Sequence, residues 1–270
     1  MLGYVCKYTP MELFEAMDTE ITRLEPSVTD FNHADTLMHA NICSYTKAVL
    51  EDVMEHDYEG VILTTCCDSI RRLYDTLKSQ FPDKFFFLLD IPRKFNDFAV
   101  TLYERQLKQM LTEYEAFSGK TLDLKRFVST MQNKAALKKQ ENTRMSASAV
   151  SEKGNGQKLN IGIMGARCNN EIRQLLVDRG ANLLFDLTCT GLARDFSITE
   201  DQVLHSYAAA LLNQIPCMRM LKAANREHFL DGFTDRLDGI IYHTVKFCDS
   251  YSYEYADFRQ RLDLPILLVE

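Results

Sequence analysis

The sequence lacks the features that mark nucleic-acid-binding, secreted and membrane-spanning proteins. Its formal net charge is -7 at pH 7, and its only basic cluster is Lys134, Lys138 and Lys139, whereas nucleic acids and anionic membranes bind extended basic surfaces. The first residues contain no charged segment followed by an apolar signal core, and no apolar run is long enough to cross a bilayer. We therefore expect a folded cytoplasmic protein that binds neither nucleic acid nor a membrane.

The spacings typical of common metal and nucleotide sites are also missing. Neither Cys-x-x-Cys nor His-x-x-x-His occurs, which argues against a zinc site. Gly162 and Gly165 follow an apolar run without completing G-x-G-x-x-G, so that loop is interpreted as a plain tight turn. The histidines, including His243, are interpreted as structural residues.

Cysteine, by contrast, is well represented. The eight cysteines are Cys6, Cys43, Cys66, Cys67, Cys168, Cys189, Cys217 and Cys248. In a cytoplasmic chain of this size they are core residues, metal ligands or reactive thiols more often than disulfides. Local context has to decide among these roles.

Apolar runs alternate with helical patterns in two parts of the chain. The expected elements are strand 60–65, helix 69–78 and strand 85–89, and then strand 159–164, helix 171–179 ended by Gly180, and strand 182–185. Strands joined through helices in this way are parallel. The alternation predicts an α/β protein with two lobes, each built on a parallel sheet.

A helical hairpin is expected between the lobes. Apolar residues recur at helical spacing from Phe98 to Phe117, stop at Gly119, and resume from Leu122 to Met131. Residues 145–157 are polar, small and glycine-containing, as in linkers. We expect an amino-terminal α/β lobe over 1–97, the hairpin and linker over 98–157, and a carboxyl-terminal α/β lobe over 158–270.

An approximate internal repeat places two cysteines in equivalent positions. In 60–69 and again in 239–250, an apolar strand runs into Cys-Asp-Ser, and a helical segment and a further apolar strand follow. Ligands of parallel α/β sheets collect outside the carboxyl ends of the strands, where helix N-termini favour thiolate. Cys67 and Cys248 are therefore candidate ligands.

Cys43 is the third candidate, because it too precedes an amphipathic helix. Three such thiols could converge on one iron–sulfur cluster that leaves an iron open to substrate. Cys67 is preferred to its neighbour Cys66 because neighbouring residues of an extended chain point in opposite directions and an Asp follows Cys67 as one follows Cys248. Helix caps and hydrogen-bond partners of the cluster sulfurs are expected at Ser44, Asp68, Ser69 and Asp249.

Five segments, in this order, carry a resemblance to a known family: Gly3 to Leu13, Asn41 to Tyr45, Thr65 to Asp75, Leu89 to Arg93, and Lys246 to Asp249. In these the chain resembles the subunits of the 2-hydroxyacyl-CoA dehydratase and benzoyl-CoA reductase family, and in particular the 2-hydroxyglutaryl-CoA dehydratase D-component. That family implies lobes with Rossmann- or flavodoxin-like cores.

The resemblance implies a [4Fe-4S] cluster on Cys43, Cys67 and Cys248. It also implies a homologous partner subunit in a hetero- or homodimer, an ATP-dependent iron–sulfur activator protein and an acyl-CoA substrate. In the dehydratases one electron makes a ketyl radical of the thioester, which then loses water. Such chemistry is sensitive to oxygen, so an anaerobic host is expected.

Three alternatives stay open. A double-cubane cluster, as in a related branch, would use Cys189 and Cys217, with Cys6 or Cys66 replacing a first-lobe motif that is not evident. Relatives usually extend further at both ends, so a shortened member acting only in electron transfer or assembly is the second alternative. The third is a metal-free scaffold whose thiols fill core space.

Overall fold

The computed structural model describes residues 1–28, 30–134, 158–168, 170–189, 198–214, 217–220 and 224–270. The proposed linker 145–157 lies outside these residues. The described residues form two compact units. The first contains the described residues up to 134 together with 198–214, and the second contains those from 158 to 189 and from 217 onward.

The strands and helices are as follows. The strands are β1 (Leu2–Tyr4), β2 (Ile21–Arg23), β3 (Gly60–Thr64), β4 (Phe85–Leu89), β5 (Asn160–Gly165), β6 (Asn182–Asp186), β7 (Gly239–His243) and β8 (Ile266–Val269). The helices are α1 (Met11–Ala16), α2 (Asn32–Leu37), α3 (Ser44–Glu55), α4 (Asp68–Gln80), α5 (Asp97–Ser118), α6 (124–134), α7 (Asn170–Asp178), α8 (Val203–Leu212), α9 (Ala224–Asp231) and α10 (Asp249–Arg261). Short 3-10 helices cover Glu200–Gln202 and Thr234–Arg236.

Each unit is built on a four-stranded parallel sheet, so the predicted α/β fold is confirmed. The strand order is β2-β1-β3-β4 in the first sheet and β6-β5-β7-β8 in the second. This is the flavodoxin-like order, in which the second strand lies outside the first. The two sheets repeat one topology, with β3 and β7 in equivalent positions.

Helices cover both faces of the first sheet, which explains why β3 is mostly apolar and buried along its whole length. Helices α3 and α4 pack over a core that includes Val49, Val61 and Leu73. Helix α5 packs against β4, where the rings of Phe85 and Tyr114 meet edge to face with centroids 5.1 Å apart. The carboxyl ends of the strands are left for the loops that carry cysteines.

The helical hairpin belongs to the first unit instead of standing between two lobes. Helix α5 begins where the Asn96 side chain accepts a hydrogen bond from the Ala99 amide at 2.8 Å, and it ends at Gly119 with φ 70°. Helix α6 follows, and its Phe127 ring packs on Tyr207 of α8 with centroids 5.0 Å apart. Because α8 also packs on α5, residues 198–214 belong to the first unit. The sequence pattern instead predicts them in the carboxyl-terminal lobe over 158–270.

The second sheet packs against a core that includes Met164, Phe185, Leu237, Tyr242 and Phe258. Gly165, at the end of β5, has φ 102°, and a Cβ there would come within 2.1 Å of the carbonyl oxygen of His243. A side chain is excluded at this point of close strand approach. Helix α7 ends before Gly180, whose φ of 76° matches the expected stop.

Candidate functional site at the carboxyl edges of the sheets

All three cysteines predicted as ligands occupy the residue directly before a helix. Cys43 precedes α3, Cys67 precedes α4 and Cys248 precedes α10, and none of their side chains makes a capping hydrogen bond. Each helix leads to or follows a parallel strand, so its N-terminus lies at the carboxyl edge of the sheet. The predicted placement of these cysteines at helix entrances is therefore confirmed.

The expected capping role of the neighbouring polar residues is wrong. The backbone is still extended at Cys67, with φ -159° and ψ 167°, so the helix begins one residue later and Asp68 is already helical. Ser44 and Asp249 occupy the same first helical position, and Ser69 is the second residue of α4. The carboxylates of the two Asp residues still favour the helices, because they lie at the positive end of the dipole.

The edge of the first sheet carries four cysteines. Cys43 is buried, whereas Cys6, Cys66 and Cys67 are half-buried and pack against the first core. Exposure does not separate Cys66 from Cys67, so the choice of Cys67 stays a prediction. The segment before them is anchored, because Thr65 donates a hydrogen bond to Asp90 Oδ1 at 2.6 Å.

The edge of the second sheet brings Cys189, Cys217 and Cys248 around one helix turn. The hydroxyl oxygen of Tyr251 in α10 lies 2.7 Å from Cys189 Sγ and 3.4 Å from Cys217 Sγ. The guanidinium of Arg219 donates to Cys248 Sγ at 3.9 Å. Both cysteines of the double-cubane alternative thus contact the first turn of α10, the helix that Cys248 precedes.

The segment that carries Cys189 is shaped by the last residue of β6. The Asp186 carboxylate accepts hydrogen bonds from the Thr188 amide at 2.9 Å and from the Thr188 hydroxyl at 2.6 Å. It also pairs with Arg173 of α7 at 2.6 Å. These contacts turn the chain directly after the strand and direct Cys189 toward α10.

A buried ion pair contacts the segments that carry Cys189 and Tyr251. Arg226 of α9 lies 2.6 Å from the Glu254 carboxylate and donates to the Leu187 carbonyl at 3.3 Å. The Tyr242 hydroxyl of β7 lies 2.5 Å from the same carboxylate. These contacts link β7, α9 and α10 to the residue that follows β6.

Burial and mutual hydrogen bonding favour the neutral forms of the Cys189 thiol and the Tyr251 phenol. A hydrogen bond with Cys217, together with burial, raises the pKa of the Cys189 thiol well above its ordinary value. Burial raises the pKa of Tyr251, and burial also raises the pKa of Glu254 although Arg226 favours its carboxylate. Binding of a cation or a cationic cluster core would release protons from these thiols.

Cys168 has a different environment. It is 1% exposed, and burial raises its pKa to about 11. A thiol that remains protonated in an apolar environment is a poor ligand and a poor nucleophile. Cys168 is therefore a core residue.

Several other polar and aromatic residues have structural environments. Arg71 and Arg72 pair with acidic residues of their own helix at 4.0 and 2.9 Å, as a solvated helix face would. Tyr4 and Tyr8 are buried, as core packing requires. Burial lowers the pKa of His243, and the buried His243 Nδ1 atom has no hydrogen-bond partner.

Sequence reasoning missed Arg219, Arg226, Tyr251 and Glu254. Tyr251 and Glu254 are three residues apart on α10 and therefore share a helix face. This spacing is the only indication of their roles in the local sequence. The partners of all four residues come from distant segments. Their roles become visible only when the second sheet brings those segments together.

The residues present fit an iron–sulfur cluster in the chemistry of their donors. Thiols stand at helix N-termini, where backbone N–H groups and the helix dipole favour thiolate, and an arginine next to one of them offsets negative charge. Within the described residues, no set of three His, Cys, Asp or Glu side chains converges closely enough to hold a single metal ion. The described residues also contain no helix whose length and hydropathy would let it span a bilayer.

Comparison with known proteins identifies one family. The family model described as 2-hydroxyglutaryl-CoA dehydratase, D-component, matches residues 6–153 and 134–270. The two matched segments together include every residue from Cys6 onward, and with them Cys43, Cys67 and Cys248. No curated protein matches the sequence significantly.

Proposed function

We propose, since the chain belongs to the 2-hydroxyglutaryl-CoA dehydratase D-component family, that it is the iron–sulfur subunit of a 2-hydroxyacyl-CoA dehydratase or benzoyl-CoA reductase-like enzyme. Its cofactor is a [4Fe-4S] cluster on Cys43, Cys67 and Cys248. One observation carries the proposal: each of these cysteines immediately precedes a helix at the carboxyl edge of a parallel sheet.

The helix N-termini explain how the chain itself would hold the cluster. The first backbone N–H groups of α3, α4 and α10 have no partner within their helices and point toward the cysteine that precedes them. They stabilise a thiolate, which is the form of cysteine that binds iron. When bound, the cluster supplies low-potential electron transfer and an open iron that acts as a Lewis acid.

The proposal includes partners and a compartment. The chain pairs with a homologous subunit as a hetero- or homodimer, receives electrons from an ATP-hydrolysing iron–sulfur activator, and acts on an acyl-CoA thioester in the cytoplasm of an anaerobic cell. Family membership supports each of these statements. The dehydratase chemistry is radical dehydration or reduction of the thioester.

Iron quantitation under anaerobic conditions tests the ligand set. The purified, reconstituted chain should contain about four iron and about four sulfide per chain, with an electron paramagnetic resonance signal after reduction. Each of Cys43→Ser, Cys67→Ser and Cys248→Ser should lose most of this iron. Cys168→Ser is the matched control, because that thiol is buried in the core, and it should keep the full content.

Full iron content in Cys67→Ser or Cys248→Ser would show that the ligand set is wrong, and a wild-type chain without stoichiometric iron would overturn the cofactor itself. Thioester turnover with the homologous subunit and the activator then tests the enzymatic role. An iron-loaded chain that never supports turnover would be an electron-transfer or assembly module instead.

A second candidate function rests on the cysteines around Tyr251. Cys189 and Cys217 both contact the Tyr251 hydroxyl at the same sheet edge as Cys248, which favours a double-cubane cluster for reduction of small molecules. In that case the iron content is about twice that of one cubane, and Cys189→Ser and Cys217→Ser reduce it. Iron near four per chain that neither substitution changes would rule out this candidate.

A further inference from the structure

Arg219 lies between a proposed cluster ligand and a buried aromatic ring. Its Nη2 atom is 3.9 Å from Cys248 Sγ, within reach of an N–H···S hydrogen bond. Its guanidinium carbon is 5.8 Å from the centroid of the Tyr251 ring, a distance at which a cation is attracted to the ring face. The positive charge is thus held beside the sulfur.

The ring that supports Arg219 is itself fixed. Tyr251 is 1% exposed, and its carbonyl oxygen lies 3.1 Å from the Tyr242 hydroxyl of β7. Its own hydroxyl is placed by Cys189 and Cys217. A planar guanidinium held over a buried ring loses little further freedom when it contacts the sulfur.

The second arginine of this region, Arg226, is buried and has another role. Arg226 forms an ion pair with the Glu254 carboxylate at 2.6 Å. The guanidinium of Arg219 is instead directed at a cysteine sulfur. Of these two arginines, Arg219 is the one whose charge acts on Cys248.

We propose that Arg219 sets the reduction potential of the cluster held through Cys248, an inference that rests on the proposed function. One-electron reduction by a low-potential donor adds one negative charge to the thiolate-bound cluster and breaks no bond. A cation and an N–H donor at a ligand sulfur stabilise the state with more negative charge, and hydrogen bonds to sulfur and net charge are established controls of cluster potential. Arg219 therefore raises the reduction potential of the cluster. It acts through Cys248 and is thus a positioning residue.

The test is a dithionite titration of the anaerobically reconstituted full chain, followed by electron paramagnetic resonance. Arg219→Gln removes the charge and should shift the midpoint potential to more negative values. Arg219→Lys keeps a charge but loses the planar contact, so its potential should lie between those of Arg219→Gln and wild type. Arg261→Gln removes the same charge from the far end of α10 and should match wild type.

Equal midpoint potentials in iron-loaded Arg219→Gln, Arg261→Gln and wild type would overturn the inference while leaving the proposed function intact. If Arg219→Gln fails to bind iron, Arg219→Lys decides, and a potential at or above the wild-type value overturns the inference. Absence of iron from the wild-type chain would overturn the proposed function and this inference with it.

Discussion

The hydroxyl oxygen of Tyr251 lies 2.7 Å from the sulfur of Cys189, a residue 62 positions earlier in the chain. Tyr251 is in the first turn of α10, and Cys189 follows β6. The contact therefore joins the loop after β6 to the first turn of α10 at the carboxyl edge of the second sheet. It also places a phenol between Cys189 and Cys217, where both thiols share one hydroxyl.

Tyr251→Phe should lower the free energy of unfolding of the metal-free chain by about 1 kcal/mol, because the ring stays while a buried hydrogen bond to sulfur is lost. Urea unfolding followed by circular dichroism measures the change. Tyr253→Phe is the matched control on the same helix, since Tyr253 is 78% exposed, and it should leave the unfolding midpoint unchanged. Equal effects of the two substitutions would contradict the structural role of the Tyr251 hydroxyl.

Glu254→Gln should destabilise the chain by about 3–5 kcal/mol, because it leaves the buried Arg226 guanidinium without its counter-charge. Replacing both partners, as Arg226→Met with Glu254→Gln, should recover much of that loss, since the uncompensated charge is gone. Calorimetric or urea unfolding of the single and double variants measures the coupling.

The control for that ion pair is the exposed pair of Arg261 and Asp257 on the same helix. Because solvent screens this pair, Asp257→Asn should cost less than about 1 kcal/mol. A Glu254→Gln variant as stable as Asp257→Asn would show that the buried pair does not support the fold of the second unit.

His243 should make the chain less stable in mild acid. Burial lowers its pKa below 6.5 in the folded chain, so the unfolded chain binds the proton first as pH falls. Stability from this group is present above pH 6.5 and is lost as pH falls through the lowered pKa. The urea midpoint of wild type should fall between about pH 7.5 and about pH 5.5 by more than that of His243→Gln.

The exposed His228 supplies the comparison for this pH effect. Its side chain is 80% exposed, so His228→Gln should keep the wild-type pH dependence. If His243→Gln and wild type lost the same stability on acidification, the buried imidazole would not be the source of the effect.

Cysteine reactivity should follow helix position and burial. In the native, metal-free chain, iodoacetamide should label the half-buried Cys67 at least about tenfold faster than Cys168, because a thiol with a pKa near 11 is almost entirely protonated at neutral pH. Peptide mass spectrometry gives the rates. In urea the two rates should converge, and equal rates in the folded chain would contradict the buried environment of Cys168.

Local sequence patterns were sufficient for many elements. The continuous apolar runs that became β3, β4 and β7 are typical of strands buried on both faces, and Gly119 and Gly180 mark helix ends because they adopt positive φ. Strands β1 and β2 were not predicted, since three-residue strands carry too little periodicity. The helical segment expected after the second Cys-Asp-Ser is α10, which begins directly after Cys248.

The candidate site likewise contains residues that the local sequence predicted and residues that it did not. Cys-Asp-Ser after an apolar strand was enough to place Cys67 and Cys248 at helix entrances, because strand, turn and helix are neighbours in sequence. Arg219 and Glu254 gave no such signal, because their contacts depend on segments far apart in the chain. The sequence also predicted the wrong capping residue for α4, since the start of this helix depends on the backbone conformation of Cys67.

The sequence by itself determined the α/β class, the family and the position of each candidate thiol relative to its helix, because these depend on periodicity and on neighbouring residues. Only the tertiary structure decided that the hairpin and α8 belong to the first unit, and that Tyr251, Cys189 and Cys217 meet. Such contacts arise when parallel strands bring distant loops to one edge, and the order of strands in a sheet is set by packing of the whole unit.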